Sequence, residues 1–75
     1  MIVETLNSTY VFDMEAQTVQ RTVHWGEPLR RDDEVLPVLD LLHPVVGQPL
    51  RMVIQIRADG VPTLRTTSEV IRVSE

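Results

Sequence analysis

The sequence predicts a small all-β protein. Several short runs alternate apolar with polar residues, which is the period-2 pattern of strands that bury one face. Segments that contain Gly, Pro and Asp separate these runs and favour turns. Five or six such strands in 75 residues are typical of a small open barrel or roll, SH3-like or OB-like, with a two-layer sandwich as the next candidate.

Length and composition allow one folded domain, covering residues 1–75. Hydrophobic residues make up 43% of the chain, which is ordinary for a globular protein and too many for a disordered one. A chain of this size buries only about 60 to 65% of its unfolded surface, so its stability is marginal unless good packing or association adds to it.

Charge and residue usage narrow the function classes. The formal net charge is −4, the wrong sign for a protein that must neutralise many phosphates, so nucleic-acid binding is disfavoured. Cysteine is absent, which removes thiolate chemistry and fits a reducing compartment. The N-terminal segment is not basic, and no apolar run approaches the roughly 20 residues that span a bilayer. We therefore expect a cytoplasmic protein without a membrane segment.

The first half of the chain predicts one hairpin. Residues 9–13 alternate, with Tyr10 and Phe12 on one face, and a short polar turn at residues 14–17 follows. The β-branched run from Thr18 to Trp25 then has one face made of Val19, Arg21, Val23 and Trp25 and another made of Thr18, Gln20, Thr22 and His24.

The segment from Asp33 to Leu42 allows two interpretations. Asp33 could cap a short helix, with Pro37 in or just beyond its first turn. Alternatively, residues 31–34 form a tight turn in which Asp33 adopts a left-handed conformation, and residues 35–39 form a short edge strand that Pro37 protects from further pairing. We prefer the edge strand.

The strongest pattern is a hairpin between residues 50–58 and 63–67. A two-residue turn at Asp59-Gly60 would bring Arg65 onto the apolar face, and a slip of one residue reverses every side chain. A longer loop from Ala58 to Pro62 instead sets Gln55 opposite Arg65 and keeps Pro62 out of the ladder. The longer loop also sets Ile56 opposite Leu64 and Arg57 opposite Thr63.

The last run, residues 70–74, changes parity. Ile71 and Val73 are odd-numbered, whereas the apolar side of the preceding strand is expected to carry Leu64 and Thr66. This change predicts a bulge or bend near Ser68-Glu69, of the kind that lets a small sheet curl into a barrel.

The outer face of the main hairpin is the candidate functional site. Its predicted binding residues are Arg51, Gln55, Arg57, Arg65 and Thr67, with Thr63 beside them. Such a polar face is able to receive a carboxylate-rich protein surface or a phosphate backbone. The alternative is that these side chains pair with nearby carboxylates or with solvent, as most surface charges do. Three aromatic residues are few for a sheet that stacks bases, so a protein partner is preferred.

No residue pattern predicts catalysis, a metal or a cofactor. His24 and His43 have no neighbouring thiol and no fixed carboxylate spacing. The run from Asp32 to Glu34 lacks the alternating oxygen ligands of a calcium loop. The serines Ser8, Ser68 and Ser74 lie in no nucleophile elbow. We therefore expect a protein that is not an enzyme and that binds no cofactor.

Unpaired strand edges in a small open barrel predict association. Pairing an edge with a second copy or with a partner's strand would bury apolar surface, so a homodimer is one expectation. Its candidate contact residues are Val53, Val61 and Leu41, and the alternative is that they pack against the loops of the monomer.

Spacing and composition over most of the chain carry a resemblance. The segments are residues 8–18 (STYVFDMEAQT), 29–37 (LRRDDEVLP), 46–50 (VGQPL) and 57–68 (RADGVPTLRTTS). Together they resemble small uncharacterised β-rich proteins of actinobacteria and actinobacteriophages. The resemblance implies that the protein acts in an actinobacterial cytoplasm, either as a protein of the bacterium or during phage infection. By analogy it also implies a protein that binds a host protein.

These observations favour a non-enzymatic protein-interaction module. If it acts during phage infection, we expect it to be phage-encoded. The alternative is a small barrel that binds nucleic acid through its arginine-bearing sheet face.

Overall fold

Six antiparallel strands form a closed β-barrel in the computed structural model, which describes residues 1–24, 33–55 and 59–74. The strands are β1 (Ile2–Thr5), β2 (Ser8–Asp13), β3 (Thr18–Val23), β4 (Val35–Leu41), β5 (Pro49–Ile54) and β6 (Thr63–Ser74). Each strand pairs with the next one along the chain, and β6 pairs with β1. The predicted small all-β barrel is confirmed; it is closed, and the described residues contain no helix.

Among the described residues, nine hydrophobic side chains are buried in the barrel interior: Val3, Tyr10, Phe12, Val19, Leu36, Leu50, Met52, Ile54 and Val70. The predicted faces of the first hairpin are confirmed, because Tyr10, Phe12 and Val19 all point inward. Arg21 shares this inner face at 8% exposure, and its Nε donates a hydrogen bond of 3.1 Å to the Tyr10 hydroxyl. Trp25 lies outside the described residues.

The strand β1 was not predicted, because the first strand was expected to begin at Thr9. Its four residues are too few to establish an alternation by themselves. The segment is nevertheless a strand because of its place in the fold: β1 pairs with β2 on one side and with β6 on the other. Val3 is fully buried between them. The expected open edge therefore does not occur at this point; the β1–β6 ladder closes it.

The strand interpretation of residues 35–39 is confirmed, and so is the left-handed conformation of Asp33, whose φ is 65°. The expectation of an edge strand is wrong. The first half of β4 pairs with β3, with Leu36 opposite Val19, and the second half pairs with β5. Pro37 lies at the changeover, where its carbonyl oxygen accepts a hydrogen bond of 3.0 Å from Gln55 N–H. A proline is tolerated there because its carbonyl contributes to pairing even though it has no N–H to donate.

The predicted register between β5 and β6 is also wrong. Arg65 lies opposite Met52 and not opposite Gln55, a shift of three positions. Because an odd shift exchanges the two faces of a strand, Leu64 is 66% exposed and Thr67 is only 7% exposed. Pro62 lies outside the ladder, as predicted.

A hydroxyl group explains why Thr67 lies inside. Its Oγ1 accepts a hydrogen bond of 2.9 Å from Leu50 N–H and donates one of 2.6 Å to the carbonyl oxygen of Ser68. Both bonds occur where the pairing of β5 with β6 shifts between Pro49 and Arg51. The hydroxyl therefore replaces a backbone partner that the irregular ladder does not provide.

The predicted bulge near Ser68-Glu69 is confirmed by that shift, because the inward positions change from Thr67 to Val70 across it. A second irregularity, in the β1–β6 pairing between Glu4 and Thr5, restores the original parity. It leaves Ile71 51% exposed, so the expected inward position of Ile71 is wrong. Val73 packs against the core as expected.

Candidate functional site

The arginine-bearing face predicted from the sequence is not assembled in the described residues. Arg51 is exposed, with Thr66 opposite it. Arg65 lies on the same side as buried Met52 and is half-buried, and Thr67 is buried. Gln55 follows the end of β5 and is half-buried, while Arg57 lies outside the described residues. Arg51 alone among these five residues is well exposed in the described part of the chain.

A different surface surrounds Arg51. Pairing places Asp40 opposite Val53 and Val53 opposite Leu64, so one residue from each of three adjacent strands lies in a row. Leu42 N–H donates a hydrogen bond of 3.2 Å to the Arg51 carbonyl oxygen and continues the β4–β5 ladder past the end of β4. We name this surface the β4–β5–β6 face and define it by Asp40, Leu42, Arg51, Val53 and Leu64.

The β4–β5–β6 face is concave and largely apolar. Its five residues, with Leu41 and Met52, line a depression of about 220 Å³. Leu42 is 58% exposed and Leu64 is 66% exposed, although contact of leucine side chains with water is unfavourable. Burial of these two side chains would therefore be favourable.

Two irregularities in the strands produce this arrangement. The β4–β5 pairing shifts between Val38 and Asp40, and both Leu39 and Asp40 are exposed as a result. The register of β6 brings Leu64 to the outside. Sequence reasoning missed Asp40, Leu42 and Leu64 for this reason. It did name Val53 and Leu41 as association residues, and both are half-buried at this depression.

A larger depression of about 360 Å³ lies beside the first and shares Leu42 and Arg51 with it. Its remaining lining residues are His43, Val45, Gln48, Pro49 and Leu50. The wall at residues 45–48 is a turn in which Gly47 has a φ of 93°, a conformation that favours glycine, and its N–H donates a hydrogen bond of 2.8 Å to Val70 O. The two depressions adjoin at Leu42 and Arg51, and we call the larger one the groove.

The charges of the face are one anion and one cation. No carboxylate of the described residues lies within ion-pair distance of the Arg51 guanidinium. Asp40 accepts a hydrogen bond of 2.9 Å from Leu41 N–H through Oδ1, which leaves its other oxygen available. Both groups are thus able to pair with charges that a docking surface brings.

A second apolar row crosses the outside of β1 to β4. Ile2 lies opposite Val11, Val11 opposite Gln20, and Gln20 opposite Val35. Part of this row lines a depression of about 240 Å³ in which Asp13 is the charged residue. This surface also exposes apolar side chains but, among the described residues, has no cation beside its anion, so it is a suitable control surface for the β4–β5–β6 face.

The other residues considered from the sequence have local roles. His24 Nε2 lies 2.6 Å from the Thr9 hydroxyl oxygen on the surface, and His43 lines the groove. Ser8 is 1% exposed, and its N–H donates a hydrogen bond of 3.1 Å to Thr5 Oγ1, which also accepts one of 2.9 Å from the Ser68 hydroxyl. Within the described ranges, no group of three or more His, Asp or Glu residues is arranged to hold a metal ion. Asp32 lies outside those ranges.

No protein-family model, no curated protein and no solved structure matches the chain. The described residues also contain no helix that is long and apolar enough to cross a membrane. Function is therefore inferred from the chemistry of the surface.

Proposed function

We propose that this protein is a non-enzymatic protein-interaction module that docks its partner on the β4–β5–β6 face. The observation that carries the proposal is the exposure of Leu42 and Leu64, 58% and 66%, beside an arginine that has no ion-pair partner in the described residues. Apolar area at the centre and enrichment in arginine are both features of protein interfaces.

Burial of the two exposed leucines would stabilise the docked state. Full burial of a leucine side chain contributes roughly 1.5 to 3 kcal/mol, and a partner that covers Leu42 and Leu64 gains the part of this that corresponds to their exposed area, whereas half-buried Val53 adds less. The depression between them also allows a partner side chain to be packed on several sides. A flat polar surface would provide neither contribution.

The resemblance noted from the sequence adds a setting to this proposal: the protein acts in an actinobacterial cytoplasm and binds a host protein there. A phage-encoded origin is part of what we propose. The nucleic-acid alternative has lost its support, because Arg51 and Arg65 face opposite sides of the sheet and the net charge is −4.

Capture from an actinobacterial lysate tests the proposal. The tagged protein is compared with Leu64→Asp, and the matched control is Val11→Asp, which puts the same charge on the second apolar row. Each lysate is divided into nuclease-treated and untreated halves, and circular dichroism checks that all three proteins are folded.

We expect a captured protein that binds the wild type and Val11→Asp, with or without nuclease, and that is lost with Leu64→Asp. Binding that disappears after nuclease treatment would favour nucleic acid instead. Capture that is unchanged by Leu64→Asp would move the docking surface away from the β4–β5–β6 face.

A further inference from the structure

The charges of the β4–β5–β6 face are arranged so that the face is complementary to itself. Resting on the proposed function, we propose that a second copy of the same chain covers this face in the free protein and is displaced when the host protein docks, the two copies being joined across a two-fold axis by reciprocal pairs between Asp40 and Arg51. Four residues on two neighbouring strands form the proposed contact.

These four residues occupy the corners of a rectangle. Asp40 lies opposite Val53, and Leu42 lies opposite Arg51 through its backbone hydrogen bond. Neighbouring strands are about 4.8 Å apart, and alternate residues on one strand are about 6.7 Å apart. The two charged residues therefore stand at the ends of one diagonal, and Leu42 and Val53 stand at the ends of the other.

A two-fold axis that lies in the plane of the face, perpendicular to the Asp40–Arg51 diagonal at its midpoint, exchanges the two charged corners. Asp40 of one copy then lies over Arg51 of the other, and the same contact occurs a second time by symmetry. Leu42 and Val53 lie close to this axis, so each is brought near its own counterpart. The result is an apolar centre with one ion pair on either side.

This charge pattern discriminates between occupants. An acidic surface would pair with Arg51 but would place carboxylates against Asp40, and a basic surface would do the reverse. A second copy supplies both signs at the required spacing. The intramolecular alternative is not used, since no ion pair joins these two side chains in the described residues.

A dimer of ordinary size would use a modest share of the surface. A stable interface buries about 800 Å² on each partner, and the chain exposes 4928 Å² in total. The contact therefore needs roughly one-sixth of the surface. The face and the larger depression adjoin at Leu42 and Arg51, so one contact can extend over both.

Charge reversal with rescue tests the inference. The oligomeric state of the wild type, Arg51→Asp, Asp40→Arg and the double variant is measured by sedimentation equilibrium over a range of protein concentrations. Arg72→Asp is the control, because it reverses an arginine that is 72% exposed and pairs with Glu4, away from this face. Circular dichroism verifies folding of each variant.

We expect the wild type, the control and the double variant to dimerise. Each single variant sets like charges against each other twice and should raise the dimer dissociation constant roughly 100-fold or more. An equimolar mixture of the two single variants should dimerise again, because each then supplies the charges that the other lacks. Recovery in the mixture is a result that loss of folding cannot imitate.

Three outcomes would overturn the inference: a wild type that stays monomeric at millimolar concentration, single variants that dimerise like the wild type, or a mixture that remains monomeric. The failure of the proposed function is recognised separately. A monomeric wild type whose lysate partner is lost with Leu64→Asp refutes self-association and leaves the docking function standing, whereas capture that is indifferent to Leu64→Asp refutes the docking function itself.

Discussion

The hydroxyl of Thr67 is buried at the point where β5 and β6 change register, and it joins the two strands through the Leu50 N–H and the Ser68 carbonyl. On sequence alone a threonine between polar neighbours belongs outside. At the scale of the residue, the side chain matters because its hydroxyl both donates and accepts hydrogen bonds. It can therefore bond the backbone groups that lose their partners where the strand pairing is irregular. A buried N–H without a partner costs about 1 to 3 kcal/mol.

We predict that Thr67→Val lowers the free energy of unfolding by about 1 to 3 kcal/mol, because Leu50 N–H then has no acceptor. Thr67→Ser keeps the hydroxyl and loses only a methyl group, so it should cost about 1 kcal/mol or less. Urea unfolding followed by circular dichroism measures both. A Thr67→Val protein as stable as the wild type would show that the hydroxyl is not needed there.

Two irregularities in the long strand β6 determine which side chains enter the core. Val70 is fully buried, whereas its neighbour Ile71 is 51% exposed. At the scale of the element, a bulge shifts every later side chain to the other face, so two bulges within twelve residues return the strand to its first parity. The first part of β6 thereby pairs with β5, and its last part pairs with β1.

A matched pair of isoleucines tests this arrangement. Ile54→Ala removes a fully buried side chain and should cost about 2 to 5 kcal/mol, whereas Ile71→Ala should change stability by no more than about 0.5 kcal/mol. Denaturant midpoints at equal m-values report the difference. Comparable losses for the two variants would place Ile71 inside the barrel and contradict the second bulge.

The turn before β4 has a conformational requirement at Asp33. Its φ of 65° is left-handed, its N–H donates to Arg21 O, and its carbonyl oxygen accepts from the Gln20 side chain. A β-branched side chain disfavours this backbone, whereas glycine adopts it readily. Asp33, which precedes β4, is therefore a residue type that tolerates the left-handed region.

We predict that Asp33→Val lowers stability by about 1 to 2 kcal/mol, because the left-handed backbone costs an ordinary side chain that amount. Asp33→Gly should be neutral within about 0.5 kcal/mol or slightly stabilising. Thermal unfolding of both variants measures this difference. Equal stability of the two would mean that the turn relaxes to an ordinary conformation at little cost.

At the scale of the whole molecule, we expect closure to make the barrel a single cooperative unit. The short β1 joins β2 to β6, and Phe12 N–H donates a hydrogen bond of 2.8 Å to Met1 O beside it. Across the same junction the Ser68 hydroxyl donates to Thr5 Oγ1, which links residues 63 positions apart in the chain. A strand of four residues is held by partners on both sides and not by its own length.

Hydrogen exchange tests this cooperativity. The amides of Phe12 and Val70, bonded to Met1 O at 2.8 Å and to Gln48 O at 3.0 Å, should exchange with the same opening free energy within about 1 kcal/mol. Exchange is measured under native conditions with increasing small amounts of denaturant. Much faster exchange at Phe12 would show that β1 separates while the remaining strands stay folded.

Much of the architecture could be predicted because its causes are local. The alternation of β2 and β3, the turn at residues 14–17 and the left-handed Asp33 each depend on neighbouring residues alone. The candidate site could not be predicted in the same way. Leu64 was assigned to the core and Arg65 to the surface, and both assignments failed together because one register determines them.

The sequence by itself determined that the chain is a small all-β domain, where most strands lie, and which turns connect them, because alternation and backbone preference act over a few residues. Tertiary structure decided the closure by β1, the positions of the two bulges in β6 and the composition of the β4–β5–β6 face. Those features depend on hydrogen bonds between distant segments, such as that of Thr67 with Leu50, and no local pattern specifies which strand position a hydroxyl will meet.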